Sequence, residues 1–326
     1  MRIDVHHHFV PPKWMTATAR ALKNDSNNPW GDWSPEMSLE AMDRGGVTTA
    51  MASITPRSVW LEDSKFENVD AARAVARECN EYGAELAATH PGRFGIFAAL
   101  PLPNVEGSLT EIPYALDELK LDGISVLTSY GTRWLGDEAF ASVFDELNRR
   151  KAVVFVHPTV PDCCAGLVPK VGPSTIEYAT DTTRAIMSLL VSGTAARCPD
   201  VHFIFSHAGG TMPFLIPRIV GRQLVINSAD GLVAFPANDS TRNSGPERLA
   251  LLRRFYYDTA QQANPVAMSA LRMVVPASQI VFGTDYPYTS ILDHVTGLHE
   301  SGVFSDEELR AIDFGNAVKM FPQYEM

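Results

Sequence analysis

The sequence predicts an α/β chain folded as a single (β/α)8 TIM barrel with loop insertions. Three observations point there. Eight short aliphatic or β-branched runs recur along the chain, each bounded by turn residues, as buried parallel strands are. Amphipathic segments lie between them, and strand–helix alternation repeated eight times closes a parallel sheet into a barrel. The length, 326 residues, is long for an ordinary domain and normal for one such barrel. One domain over residues 1–326 is therefore expected, with no fixed-period repeat, low-complexity segment or clear linker.

The first run is Ile3–Val5. Lys13–Pro35, irregular and rich in Asn, Asp and Trp, reads as a long excursion after it. Val47–Ile54 and Phe94–Leu100 are the second and third strands. Between them Asp70–Ala88 reads as a helix, with Ala71, Ala74, Val75 and Cys79 at helical spacing. Gly123–Leu127 and Val153–Val156 follow as strands four and five, separated by a helix at Asp137–Arg150. A helix at Thr182–Ser192 leads to the sixth strand, His202–Phe205. Ala234–Pro246 is loop-like. Phe255–Asp258 and Ile280–Gly283 complete the set of eight, and Asp306–Ile312 is a last helix.

Hydrophobic residues make up 45% and charged residues 20%, enough for a large core and against wholesale disorder. The net charge of -11 disfavours nucleic acid or an anionic membrane surface as the main partner. It also means that an anionic substrate needs local positive charge, which a metal ion supplies. The cysteines, Cys79, Cys163, Cys164 and Cys198, form no C-x-x-C pair and no disulfide framework. Free thiols and the lack of an apolar leader or spanning segment predict a soluble cytoplasmic protein.

The chemistry-bearing residues sit at the ends of the strand runs. In Asp4-Val5-His6-His7-His8-Phe9, residues two apart on a strand share a face, so His6 and His8 point together and His7 points away. An H-x-H pair alone is about as often incidental as ligating. His157 ends the apolar run Val153–Val156, and His207 follows Phe203-Ile204-Phe205-Ser206, with small residues after it. Asp285 follows Ile280-Val281-Phe282-Gly283-Thr284. Singly, each has a bland alternative: a satisfied polar residue for the histidines, a helix cap for Asp285. Jointly they do not, because a barrel gathers the C-terminal ends of its strands onto one rim. Imidazole and carboxylate donors without thiolate suit Zn²⁺, Mn²⁺ or Fe²⁺.

At these residues the sequence resembles the amidohydrolase superfamily, in the branch of the aminocarboxymuconate-semialdehyde decarboxylases. The likeness runs over nearly the whole chain. Its marks are Ile3–Phe9, Val156-His157-Pro158, Ser206–Gly210, Tyr257-Asp258-Thr259, Phe282–Pro287 and Gly315-Asn316-Ala317. Within that branch the Val5–Pro12 opening, and Tyr130-Gly131 before Leu135-Gly136, resemble the 6-methylsalicylate decarboxylase type. The resemblance implies a distorted TIM barrel, one divalent metal (zinc favoured, manganese the alternative), loss of carboxylate as CO2, and a homodimer. It implies His6, His8, His157 and Asp285 as ligands and His207 as acid/base, with Asp285 the other candidate proton donor. Two departures narrow it. No lysine follows the fourth strand to bridge two metals, and no arginine near Leu39–Arg44 matches the one that grips carboxylate in the semialdehyde enzymes.

The expected reaction is decarboxylation of a small carboxylic acid, best an aromatic one with an ortho-hydroxyl. Phe9, Tyr130 and Tyr286 are candidate substrate-binding residues, with Trp14 and Tyr288 beside them; plain packing is the competing reading for each. Arg57, Arg133 and Arg184 are candidate anion holders, with a solvated surface position as the alternative. Two other functions fit less well. A metal-dependent hydrolase or hydratase acting on a lactone, amide or unsaturated acid would use the same centre to activate water. A barrel that binds without catalysing has no need of every candidate ligand.

Overall fold

The computed structural model describes residues 1–12, 33–54, 59–60, 68–221, 224–227, 231–234 and 245–325. Among them, eight strands form one parallel sheet in chain order: β1 (Ile3–Phe9), β2 (Thr49–Ile54), β3 (Phe94–Ala99), β4 (Gly123–Leu127), β5 (Val153–His157), β6 (His202–Phe205), β7 (Tyr256–Asp258) and β8 (Ile280–Val281). All eight predicted runs are strands, with ends moved by a few residues. The ring closes beyond β8. Val5 N–H donates to Phe282 O at 2.9 Å, Asp285 N–H to His6 O at 2.7 Å, and His8 N–H to Tyr286 O at 3.0 Å. The seam of the barrel thus runs through the candidate site.

Helices cover the outside: α1 (Pro35–Gly45), α2 (Val69–Thr89), α3 (Val105–Pro113), α4 (Ala141–Arg149), α5 (Pro173–Val191), α6 (Met212–Ile219), α7 (Gly245–Leu252), α8 (Pro265–Val274) and α9 (Ile291–His299). Several of their starts carry side-chain caps: Ser34 accepts from Met37 N–H before α1, and Asn264 accepts from Val266 and Ala267 N–H before α8. Two expectations need correction. The buried stripe of α2 is Ala72, Ala76, Cys79, Gly83 and Leu86, with Ala71 and Ala74 outside. Alanine is too weakly hydrophobic to mark a face. Also, α5 begins nine residues before Thr182, because its first turns, exposed from Pro173 to Ile176, bury no periodic apolar face. Most of the Lys13–Pro35 stretch, Trp14 included, most of Ala234–Pro246, and separately Arg57 lie outside the described residues.

Two apolar layers result. Inside the barrel Ile3, Val5, Met51, Phe97, Phe155, Ile204 and Val281 pack with Ala317 and Phe321. These last two come from the C-terminal segment and close the floor: Phe97 stacks on Phe155 at 5.3 Å and meets Phe321 edge-on at 5.9 Å. The late Gly315-Asn316-Ala317 motif has its reason here, because buried Asn316 Nδ2 donates to Ala277 O and Ile280 O, each at 2.8 Å. Alternate residues, among them Phe9, Ile96, Val154, Phe203 and Phe282, face outward into the strand–helix layer. None of the described helices is long and apolar enough to cross a membrane.

Candidate metal centre

A bulge in β1 aims the histidines. Its register against β2 pairs Asp4 with Ala50 but His7 with Ala52, so three steps on one strand oppose two on the other. Ile3 and Val5 belong to the inner layer. The extra residue shifts the alternation, so that His6 and His8 face inward and His7 and Phe9 outward. His6 rests edge-on against Phe155 at 4.9 Å, directly above the apolar floor. His7 takes the other side as expected: Nε2 pairs with Ser38 Oγ of α1 at 2.9 Å, and its ring stacks on Tyr286 at 4.8 Å.

Five side chains meet at the rim, all of them buried. His6 Nε2 lies 3.3 Å from His8 Nε2, and both face Asp285 Oδ1, at 3.2 and 3.0 Å. His207 Nε2 lies 3.2 Å from the other oxygen, Oδ2, which also accepts from Gln261 Nε2. Donor atoms of His6, His157, His207 and Asp285 fall within 4.8 Å of one another. This tightest group contains His207 where the sequence suggested His8; His8 joins through His6 and Asp285. Geometry alone therefore brings all five together without ranking the two. Asp285, His207 and Gln261 share a further trait: each has positive φ, at 66°, 54° and 55°. Strained backbone of this kind persists where surrounding structure imposes it, and it gathers at functional sites.

The protonation pattern suits a cation. His157 Nδ1–H donates to Pro158 O at 2.8 Å, leaving Nε2 as a buried lone pair with no partner among the described residues. Burial, reinforced by the charges of His6 and His8, pushes His157 well below the ordinary histidine value, so it stays neutral. Burial lowers His8 too, against the pull of Asp285. Burial would also lower His6, but Asp285 and Asp258 overcome it and hold that ring cationic up to about 10. Burial would raise Asp285, yet the charge of His6 and bonds from His207, His6 and His8 keep it well below the carboxylate range. The spot where these nitrogens and Oδ1 converge thus attracts positive charge, and the orphaned His157 Nε2 points to an ion rather than a proton.

Sequence reading missed the supports. Asp258, quoted only within a motif, takes His6 Nδ1 at 2.7 Å. Asp4 accepts from Thr284 N–H and Oγ at 3.0 and 2.6 Å, pinning the residue before Asp285. Gln261 sat in a loop with no motif. The aromatic candidates fare worse. Phe9 faces outward and stacks on Tyr82 of α2, Tyr130 packs on Phe140 beneath the helices while its hydroxyl accepts from Leu127 N–H, and Tyr286 backs His7 with its hydroxyl on Met37 O. All three turn away from the cluster, a direction that proximity to a strand end does not reveal. Besides Phe155, rings beside the cluster include Tyr288, 6.2 Å from His8, and Tyr178 of α5, 6.4 Å from His157. Arg133 is exposed and Arg184 lies 3.7 Å from Asp181.

The family described as Amidohydrolase matches residues 3–323. The chain is 36% identical to the decarboxylase yanB of Aspergillus niger, over 100% of this chain and 88% of that one. It is 34% identical to the 6-methylsalicylic acid decarboxylase of Penicillium expansum, over 99% and 96%. Among solved structures, a dihydroxybenzoic acid decarboxylase from Polaromonas with bound manganese and 2-nitroresorcinol aligns with a TM-score of 0.81 at 20% identity, over 100% and 98% of the two chains. That last likeness speaks to the barrel. The match over nearly the whole length, together with the two sequence relatives, shows that this chain belongs to the amidohydrolase family.

Proposed function

We propose that the protein is a metal-dependent, non-oxidative decarboxylase of a small ortho-hydroxy aromatic acid. In this reading His6, His8, His157 and Asp285 hold one divalent ion and His207 is the acid/base. The observation that carries it is the division of labour at Asp285: Oδ1 faces the inward pair His6 and His8, and Oδ2 faces His207 and Gln261. One carboxylate thereby borders both a cation site and a proton-transfer pair. Relatives named as aromatic acid decarboxylases support the reaction class. Zn²⁺ and Mn²⁺ both suit imidazole and carboxylate donors. Held by these residues, the ion would supply Lewis-acid charge and orient the acidic substrate.

The chain's own residues do the rest. His207 Nε2 and Asp285 Oδ2, 3.2 Å apart, share the proton that is delivered to the ring carbon bearing the carboxylate. The new C–H bond replaces the C–C bond, CO2 departs with no oxidant consumed, and the proton is replenished from solvent. Gln261 fixes Oδ2 while this happens. Tyr288 and Tyr178 flank the cluster and offer flat faces to an aromatic ring.

The test is metal analysis of purified protein with a screen over hydroxybenzoates, following CO2 and the phenol. Release of CO2 that stops on chelation is expected. Efficient hydrolysis of a lactone or amide with every hydroxybenzoate intact would replace this assignment. We further read the protein as a cytoplasmic homodimer. Exposed Leu167, Val168, Val171, Ile176 and Phe214 support the dimer, and light scattering that returns the mass of one chain would remove it.

A further inference from the structure

Asp258, at the end of β7, is fully buried and has no place among the ligands or the proton-transfer pair. Its two oxygens are both spent. Oδ2 takes His6 Nδ1 at 2.7 Å. Oδ1 accepts from the backbone N–H of His207 at 2.7 Å and of Ala260 at 3.0 Å. Gly283 makes room for this arrangement, since a Cβ there would come within 2.9 Å of the Cβ atoms of both Asp258 and His6.

We infer that Asp258 is a positioning residue that sets the tautomer of His6 with one oxygen and anchors the backbone of His207 with the other. The inference rests on the reading of the cluster as a metal centre. A carboxylate beside Nδ1 only accepts, so Nδ1 keeps its hydrogen and Nε2 is the nitrogen that gives up its proton to the ion. The same carboxylate gives the His207 N–H a partner in a backbone conformation, φ 54°, that a non-glycine residue seldom adopts. Ligand and acid/base are thus tied to a single group on a third strand.

Asp258→Asn separates the two roles. Its one carbonyl oxygen is claimed by two backbone donors, so the amide NH2 must face His6 Nδ1. That ring then accepts at Nδ1 and carries its hydrogen on Nε2, which blocks ligation. The fold keeps its backbone bonds. The experiment measures Mn²⁺ and Zn²⁺ dissociation constants by chelator competition, and the unfolding midpoint of the metal-free protein. The expected result for Asp258→Asn is about 10–100-fold weaker binding of both ions, with a metal-free midpoint close to that of the wild type. Affinity equal to wild type, or a collapsed midpoint with unchanged affinity of the folded fraction, would overturn the inference. A second measurement needs no variant: in zinc-loaded wild type, ¹⁵N spectra of His6 should show hydrogen on Nδ1 and metal at Nε2, and the opposite arrangement also overturns it. Failure of the wild type to bind either ion removes this inference and the metal reading together. Binding by wild type and Asp258→Asn alike removes this inference alone.

Discussion

At the scale of single residues, the proposed function divides the rim into groups that hold charge and groups that move a proton, although both sets are imidazoles. His157 is the clearest holder, with one nitrogen bonded to Pro158 O and the other without a partner among the described residues. His8 and His207 are the contested pair, because one meets Asp285 Oδ1 and the other Oδ2. His8→Ala should lose metal and activity together, measured by elemental analysis and turnover. His207→Ala should keep its metal while kcat falls about 10²–10⁴-fold, the usual worth of a positioned acid/base. Equal metal loss in both variants would make His207 a ligand. The five rim residues were legible as a set because each ends a β-branched or aliphatic run. Asp258, Gln261 and Asp4 were not, since a hydrogen bond between distant strands leaves no local trace. The outward facing of Phe9, Tyr130 and Tyr286 was hidden for a similar cause: closeness to a strand end says nothing about which face a side chain takes.

At the scale of elements, the bulge in β1 and the close meeting of β7, β8 and β1 decide what the strands present. A bulge has no signature in Asp4-Val5-His6-His7-His8, so the alternation of His6, His7 and His8 was readable locally, while their direction toward the rim rested on the joint pattern of strand ends. Gly283 lets the strands approach. Gly283→Ala should destabilise the metal-free protein by about 1–3 kcal/mol through overpacking against Asp258 and His6. Gly315→Ala meets nothing within 4 Å and should stay within about 0.5 kcal/mol; denaturant unfolding of both checks the contrast. On α9, His294 packs on Phe282 at 5.5 Å and bonds Thr259 Oγ at 3.0 Å. Burial lowers its pKa to about 4, against the upward pull of Asp4, Asp258 and Asp285. Below about 6.5 the unfolded chain takes up a proton that the folded ring refuses, so stability falls as pH drops toward about 4, by on the order of 3 kcal/mol. Metal-free unfolding against pH should show that slope and His294→Gln should flatten it; identical slopes would locate the acid sensitivity elsewhere.

At the scale of the whole molecule, the barrel was the most legible feature. Its eight runs of apolar residues are buried on both faces, and such runs survive uncertainty about their ends. Helices were less so: α1, α3, α6, α7, α8 and α9 were not singled out, because their apolar stripes are short and starts such as those of α1 and α8 depend on the single caps Ser34 and Asn264. The closed barrel places an acidic chain, net charge -11, around a point that attracts a cation. Substrate binding should therefore depend on the ion, and activity should vanish with a chelator and return when metal is restored. The most direct measurement follows 6-methylsalicylate in D2O with the metal-loaded protein. The expected products are CO2 and 3-methylphenol in equal amounts, with one deuterium on the ring carbon that carried the carboxylate, no oxygen consumed, and no turnover after chelation. Recovery of unchanged acid from metal-loaded protein that hydrolyses a lactone or amide, or a product that has gained oxygen from water, would contradict the assignment.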